Sequence, residues 1–238
     1  MKTAIIMPTY NEAENIVRLI PEIFSLNIQD FRLIVIDDNS PDGAGAIISR
    51  LSQDYPVEVI RRFQKSGIGS AYIAGFKKSI QAGDDLIFEM DADFSHDPLE
   101  ISNFIGEINK GADVVIGSRY IPQGDVSHWS PARRLMSRSA IWLARIILKL
   151  KTHDVTSGFR CYRREVLVHL DLEGVKSNGY AFQEEIPYRC EKLKVNIVEI
   201  PIQFIDRSAG RSKLSSWEIV QFFYNFVSFE AQIIRIFC

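Results

Sequence analysis

Cysteine is scarce in this chain of 238 residues, which has only Cys161, Cys190 and Cys238, all far apart. Their spacing matches no zinc-ligand or redox motif, and this usage is typical of a reducing compartment, with Cys161 and Cys190 expected as small core residues. No uninterrupted apolar run reaches about 18 residues, so a spanning helix is not expected. The chain opens on a strand-like apolar run without the pattern of a signal peptide.

An excess of charge of either sign is also missing. The 28 basic and 30 acidic side chains leave a net charge of −2, so nucleic acid is not predicted as a partner and any basic patch must be local. The length suffices for one large α/β domain with a sizeable core. Because no linker or repeat is visible, we predict one domain over residues 1–216 and, as a C-terminal elaboration, an apolar helix over residues 217–238.

Apolar runs rich in β-branched residues alternate with stretches of helical periodicity. The runs are Ala4–Met7, Leu33–Ile36, Val57–Ile60, Leu86–Met90 and Val114–Ile116. Strands separated by helices predict right-handed crossovers and an α/β fold with a mostly parallel sheet flanked by helices. Such sheets bind ligands at the carboxyl ends of their strands.

Polar motifs follow four of these predicted strands: PTYNE, DDNSPDG, DADFSHDP and GSRY, in chain order. Four polar clusters at one edge of a sheet indicate a site. In the second, Asp38 is placed to touch a ligand, whereas Asp42 is equally well explained as a helix cap. The stretch KSGIGSAYIAGF, at 65–76, is neither G-x-G-x-x-G nor a Walker loop, which argues against ATPase chemistry.

Asp91 and Asp93 follow a buried apolar run with only Ala92 between them. Two carboxylates are hard oxygen ligands that suit Mg²⁺ or Mn²⁺, whose shell a substrate diphosphate would complete. Most isolated D-x-D pairs are solvated turn residues, but the position at a strand end favours a metal site that stabilises a leaving nucleoside diphosphate. We expect His96 to lie beside the metal or the acceptor.

Two basic segments predict phosphate contacts. The Gly/Ser-rich loop 206–216 carries Arg207 and Lys213, and it is either a solvated loop or a lid over a diphosphate. Arg133 and Arg134 follow HWSP at a helix start, where a lipid phosphate could find guanidinium groups and unpaired backbone N–H groups. Plain surface arginines are the alternative.

The ordered motifs resemble the family 2 glycosyltransferases, and among them the polyprenyl (dolichyl) phosphate mannose synthases. The resemblance covers residues 3–215 and rests on MPTYNE, VIDDNSPDG, EMDADFSHDP, GSRY, TSGFRCY and RSAGRSK. It implies the GT-A fold and inverting transfer of mannose from GDP-mannose to a lipid phosphate.

The resemblance also assigns site residues. The nucleotide would be held by Pro8, Tyr10 and Glu12, with Ile36 and Asp38 on the base and ribose side. Asp91, Ala92 and Asp93 would border the diphosphate, with Asp93 as the main metal ligand. Some members carry Gln where this chain has Ser95, which is therefore a weak ligand candidate.

Further assignments concern the phosphates and the acceptor. Arg119, Arg207 and Lys213 would bind phosphates, so that Asp91, Asp93 and Arg119 form the catalytic set. Arg133 and Ser137 would contact the acceptor phosphate, and Gln183 and Glu184 would touch or brace the site.

The chemistry of the acceptor agrees with this reading. A hydroxyl acceptor needs a general base, whereas a phosphate monoester, with a second pKa of about 6, is already an anion. Processive relatives that use hydroxyls carry a late E-D pair and Q-x-x-R-W. The corresponding stretch here, FQEEIPYRCEK, has no R-W, which favours a phosphate acceptor.

Three other functions are alternatives to mannose transfer from GDP-mannose. A UDP-glucose or UDP-N-acetylhexosamine donor is open, because selectivity depends on loop shape. A sugar nucleotidyltransferase would want a basic, Gly-rich loop where PTYNEAEN is acidic. A non-catalytic nucleotide-binding module is disfavoured by the intact Asp91, Asp93, Arg207 and Lys213.

A lipid acceptor requires contact with a membrane surface. Two segments could provide it, 133–151 and 217–238, the first with six cations and with Ile141, Trp142, Ile146, Ile147 and Leu150 to insert. We therefore expect a peripheral enzyme on the cytoplasmic, inner face of a membrane, with room for a membrane-anchored partner subunit. Amphipathic helices packed on the sheet are the alternative.

Overall fold

A central sheet organises the structure, a computed structural model that describes residues 1–127, 129–175, 177 and 180–205. Its strands are β1 (Thr3–Thr9), β2 (Phe31–Asp37), β3 (Val57–Arg61), β4 (Leu86–Glu89), β5 (Val114–Ser118), β7 (Arg160–Arg163) and β8 (Ile197–Pro201). A separate pair is formed by β6 (Asp125–Ser127) and β9 (Gln203–Ile205). The helices are α1 (Ala13–Ser25), α2 (Ala44–Leu51), α3 (Ile68–Ala82), α4 (Ile101–Asn109), α5 (Pro131–Leu148), α6 (Arg164–His169) and α7 (Tyr180–Lys192).

The strand order of the main sheet is β3-β2-β1-β4-β7-β5-β8. Only β7 runs antiparallel to its neighbours β4 and β5, so the predicted mostly parallel sheet flanked by helices is confirmed. At its other end, β8 joins β5 in the main sheet, whereas the short strand β9 pairs with β6.

The alternation of side chains along the strands builds one core layer on each face of the sheet. Ile5, Leu33 and Phe88 pack towards α1, α2 and α4. Ile6 and Ile87 pack towards α3, α6 and α7 on the other face. Both faces being covered explains why the parallel strands read as nearly continuous apolar runs. Cys161 and Cys190 are buried in these layers as expected.

The close approach of α3 to β1 depends on Gly75. A Cβ added there would lie 2.2 Å from Ile6 Cγ2, too close for any real contact. We expect Gly75→Ala to lower the free energy of unfolding by about 1–3 kcal/mol through overpacking. Gly106→Ala in α4 is the control, because its added Cβ meets nothing within 4 Å and should be neutral or stabilising. Urea unfolding would measure both, and equal effects would contradict this account of the packing.

Among the helices of the described residues, none combines the length and apolarity needed to cross a bilayer. The predicted interfacial helix at 217–238 lies outside the described residues.

Candidate active site

The carboxyl ends of β1 and β2 bring the first two motifs together. Asp38 donates its backbone N–H to Thr9 O at 3.1 Å. Asp42 bridges the two segments, because its carboxylate accepts from the backbone N–H of Ala13 at 2.8 Å and of Ala44 at 3.0 Å. These are the first residues of α1 and α2, so Asp42 satisfies the first backbone N–H of each helix, although the N-cap positions themselves are Glu12 and Gly43.

Asp38 is buried and forms an ion pair with Arg62. Arg62 also reaches Ser70 Oγ at 2.6 Å and Gly67 O at 3.2 Å. Asp38 therefore fixes the loop that leads into α3, as well as lying at the edge where a nucleotide would sit. The loop at 65–70 is a helix start packed against the site, as its sequence indicated, since a Cβ on Gly69 would lie 2.9 Å from the Phe182 ring.

The other residues assigned to the nucleotide differ in which of their groups a ligand could reach. Tyr10 lies after β1 with the Lys65 ammonium 4.5 Å from its ring centroid, and Glu12 opens α1 with its carboxylate on Asn15 at 2.7 Å. Pro8 pairs in register with Ile36 on β2. The Ile36 side chain is fully buried in the apolar core, however, so only its backbone can reach a ligand.

The Asp-x-Asp segment is a loop rather than the end of a strand, because β4 stops at Glu89. Asp91 Oδ1 accepts from the Tyr72 hydroxyl at 3.1 Å, and Asp93 Oδ1 accepts from the backbone N–H of Ser95 at 3.0 Å. The alternation of side chains along a strand therefore does not set the directions of the two carboxylates. Local hydrogen bonds orient each carboxylate instead.

The His96 side chain supports the loop that carries Asp91 and Asp93. Its Nδ1 accepts from the backbone N–H of Asp91 at 3.1 Å, and its ring stacks on Phe159 with centroids 4.9 Å apart. Burial lowers the pKa of His96 to about 4, so the ring is neutral at physiological pH. The Nδ1 contact makes His96 a support for the Asp91 backbone.

The donor set of this loop fits a divalent cation. Asp91 and Asp93 supply carboxylates, and none of the described residues forms a hydrogen bond with the buried Ser95 hydroxyl. Within the described part of the chain, no group of three or more His, Cys, Asp or Glu side chains is gathered for a metal. One or two carboxylates with water and substrate phosphates is the shell that Mg²⁺ commonly takes, so this sparse set suits a metal bound together with a diphosphate.

Arg119, directly after β5, is clamped by a residue that sequence reasoning missed. Its Nε and Nη2 donate to the Asp154 carboxylate at 2.7 Å each, and its backbone N–H donates at 2.9 Å. Although burial opposes ionisation of Asp154, the charge and hydrogen bonds of Arg119 hold its pKa below the usual value. A phosphate that contacts Arg119 would therefore meet a guanidinium whose orientation Asp154 fixes. The signal in the sequence was an acidic residue just before TSGF.

The predicted acceptor residues lie on α5, next to Arg119. Ser130 accepts from the backbone N–H of Arg133 at 3.3 Å and caps the helix, and the Arg133 guanidinium lies 4.0 Å from the Trp129 ring centroid. Ser137 Oγ and Tyr120 OH are 2.7 Å apart. Since Tyr120 follows Arg119 in the chain, it joins the residues assigned to the donor phosphates to those assigned to the acceptor.

Gln183 and Glu184, close to the start of α7, are both buried. A Cβ on Gly158 would lie 3.5 Å from Gln183 Nε2, Asp91 Oδ2 and His96 Cε1, so these groups line one small space. Burial raises the pKa of Glu184 to about 8, against the opposing charge of Arg160. Arg207 and Lys213, and with them the proposed lid, lie outside the described residues.

Residues 4–170 match the family described as Glycosyl transferase family 2. The chain belongs to this family and is a glycosyltransferase, which confirms the resemblance drawn from the ordered motifs.

Particular relatives carry more specific names. The chain is 41% identical over 220 residues to polyprenol monophosphomannose synthase of Mycolicibacterium smegmatis, covering 92% of this chain and 83% of that protein. It is 39% identical over 216 residues to undecaprenyl-phosphate mannosyltransferase of Micrococcus luteus, covering 90% and 88%.

The fold matches that of glucosyl-3-phosphoglycerate synthase from Mycobacterium tuberculosis in complex with Mn²⁺ and UDP-glucose. The TM-score is 0.67 at 19% identity, over 98% of this chain and 76% of that one. The expected GT-A type of α/β fold is confirmed.

Proposed function

We propose that this enzyme transfers mannose from GDP-mannose to the phosphate of a polyprenyl (dolichyl) lipid, with inversion, giving polyprenyl phosphate mannose and GDP. The observation that carries the proposal is the continuity of the site. A carboxylate loop suited to a metal diphosphate lies at the sheet edge, and Arg119, Tyr120 and Ser137 lead from that edge to the capped start of α5. The names of the two bacterial relatives support mannose as the sugar and a lipid phosphate as the acceptor.

On the donor side, Asp93 and Asp91 would hold Mg²⁺ or Mn²⁺, with the Ser95 hydroxyl beside them. When bound, the ion neutralises the diphosphate and so stabilises GDP as a leaving group. The structurally similar synthase that binds Mn²⁺ with a nucleotide sugar supports this cofactor. Tyr72 and His96 keep the loop in place through Asp91.

On the acceptor side, a phosphate oxygen attacks the anomeric carbon as the bond from that carbon to the GDP oxygen breaks, which inverts the configuration in one displacement. Arg133 and the N-terminal N–H groups of α5 would position this anion. A phosphate acceptor gives up no proton that a base must remove. Burial raises the pKa of Glu184 to about 8, so this side chain is mostly protonated at pH 7.

A UDP-hexose donor is the second candidate, favoured by the UDP-glucose complex of the structurally similar synthase. Sugar nucleotidyl transfer and non-catalytic nucleotide binding are not carried further, because the chain belongs to a glycosyltransferase family.

The lipid acceptor places the enzyme at a membrane surface. We propose peripheral binding on the cytoplasmic face, through α5 and the helix predicted at 217–238, with or without a membrane-anchored partner subunit.

A donor and acceptor screen tests the proposal. The full chain would be incubated with GDP-mannose, UDP-glucose or UDP-N-acetylglucosamine, with a short polyprenyl phosphate or the matching polyprenol, and with Mg²⁺, Mn²⁺ or EDTA. We expect a glycolipid and free nucleotide only from GDP-mannose, polyprenyl phosphate and a divalent cation. Equal transfer to the polyprenol would contradict the phosphate acceptor, a UDP-sugar preference would favour the second candidate, and full activity in EDTA would exclude the metal.

A further inference from the structure

A pair of opposite charges lies inside the sheet, beneath the Asp91–Asp93 loop. Glu89 on β4 and Arg160 on β7 are partners in the antiparallel register, and neither side chain is exposed to solvent. Burying two charges costs hydration that their attraction often fails to return. A buried ion pair is therefore weak evidence of a stabilising interaction. The other contacts of Glu89 and Arg160 show what the pair does in this sheet.

The pair is only partly satisfied. Arg160 Nη1 and Glu89 Oε2 are 3.9 Å apart, and neither atom, nor Arg160 Nε, has a hydrogen-bond partner within the described ranges of the chain. Glu89 Oε1 accepts from the Tyr162 hydroxyl at 2.8 Å. The direct ion pair is therefore loose, and the well-formed hydrogen bonds of these residues go to other groups.

Arg160 ties α7 to the loop before β7. Its Nη2 donates to the backbone carbonyl of Gln183 at 2.5 Å and to that of Val155 at 2.9 Å. The Gln183 side chain lies against the Glu89 carboxylate, where its amide favours the charged form. Backbone and side chain of Gln183 are thus both fixed by the buried pair.

The amide group of Gln183 borders the space beside Gly158 through its Nε2 atom. The buried Oε1 of the same amide has no hydrogen-bond partner among the residues that the structure describes. Gly158 leaves the volume of a Cβ unfilled at 3.5 Å from Gln183 Nε2 and Asp91 Oδ2. An unpartnered amide oxygen in a buried position calls for a donor such as a hydroxyl group. Asp91 borders the diphosphate in the proposed function, and the group attached to that diphosphate is the sugar.

We propose that Gln183 binds a hydroxyl of the donor sugar, that Gly158 leaves room for the sugar ring, and that Glu89 and Arg160 are positioning residues that set Gln183 relative to Asp91. The inference rests on the proposed function in one respect, that the donor is a nucleotide sugar. It adds the part of the site that distinguishes GDP-mannose from GDP.

The test compares two ligands that differ only in the sugar. GDP binding would be measured by calorimetry with Mn²⁺, and GDP-mannose use by steady-state transfer to a short polyprenyl phosphate. Gly158→Ala is the first variant, because its added Cβ makes only ordinary contacts and the protein should fold. Gln183→Ala removes the proposed contact, and Glu89→Gln keeps the shape and the Tyr162 hydrogen bond. Gln203→Ala is the control, since Gln203 is exposed and bonds only to Gln123 O at 2.9 Å.

We expect Gly158→Ala, Gln183→Ala and Glu89→Gln each to lower kcat/KM for GDP-mannose at least tenfold, with the Kd for GDP within twofold of the wild type and no change in Gln203→Ala. Selectivity for GDP-mannose over GDP-glucose should fall in the same three variants, which a general loss of packing would not produce. Equal losses for GDP and GDP-mannose, or no loss, would overturn the inference while wild-type transfer stands. A wild type that uses no nucleotide sugar would overturn the proposed function and this inference with it.

Discussion

Replacing Asp93 with asparagine is expected to lower glycosyl transfer by at least about 100-fold, even at saturating metal, while leaving the fold intact. The carboxylate is the main ligand proposed for the divalent ion, and loss of a group that stabilises developing charge commonly costs two to three orders of magnitude. Asparagine keeps the shape of the side chain and an Oδ1 that can accept from Ser95 N–H, which is 3.0 Å away. The loop should therefore keep its conformation while the charge is lost.

Asp97→Asn provides the matched control. Asp97 lies in the same segment, is exposed, and uses its Oδ1 to accept from Leu99 N–H at 2.9 Å, which asparagine can also do. Both variants lose one negative charge, so a nonspecific charge effect would appear in both. Initial rates at increasing Mn²⁺, with circular dichroism and thermal unfolding of each variant, would separate metal binding from folding. Near-normal turnover of the Asp93 variant at high metal would remove Asp93 from the metal site.

The part of the fold that the sequence predicted correctly is the part whose pattern is local. The five predicted strands are continuous apolar runs because helices cover both faces of the sheet, and each run is found as a strand. Of the strands that were missed, β6 has three residues, and β7 is four residues long and reads RCYR. Arg160 of β7 places a charged side chain in the core. Its burial depends on tertiary contacts with Glu89 and Gln183, which a local sequence pattern does not show.

In the candidate site, too, features with a local sequence pattern were predicted and contacts between distant residues were not. The strand-end motifs predicted which loops meet, because parallel strands end at one edge. The partners within the site could not be read from spacing, since Arg119 and Asp154 are 35 residues apart and meet only through the fold. Ile36 was assigned to the nucleotide from its position in the motif alone, and a motif does not show whether a side chain is buried. The Ile36 side chain is fully buried and cannot contact a nucleotide.

The surface of α5 corrects the membrane prediction in a similar way. Of the residues expected to insert, Ile141 and Leu150 are buried against the protein core. The apolar side chains that α5 exposes are Leu135, Met136, Trp142 and Ile146, at 68%, 47%, 63% and 54%. Leu135, Trp142 and Ile146 lie seven and four residues apart on one face of the helix. Arg138 and Lys149 are exposed with them, so this face combines inserting and cationic groups.

We expect the triple replacement Leu135→Ser, Trp142→Ser and Ile146→Ser to weaken vesicle binding of the full chain by at least about 100-fold. Complete burial of each large apolar side chain contributes about 1.5–3 kcal/mol, so even partial insertion of three gives an effect of this size. Transfer to a short, water-soluble polyprenyl phosphate should stay close to normal, because these exposed side chains are not among those assigned to the donor or the acceptor. Co-sedimentation with vesicles, with and without anionic lipid and across a salt series, would measure the binding.

The control replaces three apolar side chains of comparable exposure elsewhere, Val17, Val168 and Leu193, at 48%, 54% and 41%, with serine. It separates insertion through α5 from a general loss of surface hydrophobicity. Wild-type binding should rise with anionic lipid and fall with salt, because Arg138 and Lys149 each contribute about 1 kcal/mol near a negatively charged surface and that attraction is screened. Unchanged binding by the α5 triple variant, or equal losses in both triple variants, would show that α5 is not the surface that meets the lipid. The polyprenyl phosphate would then have to reach Arg133 and Ser137 from another side of the protein.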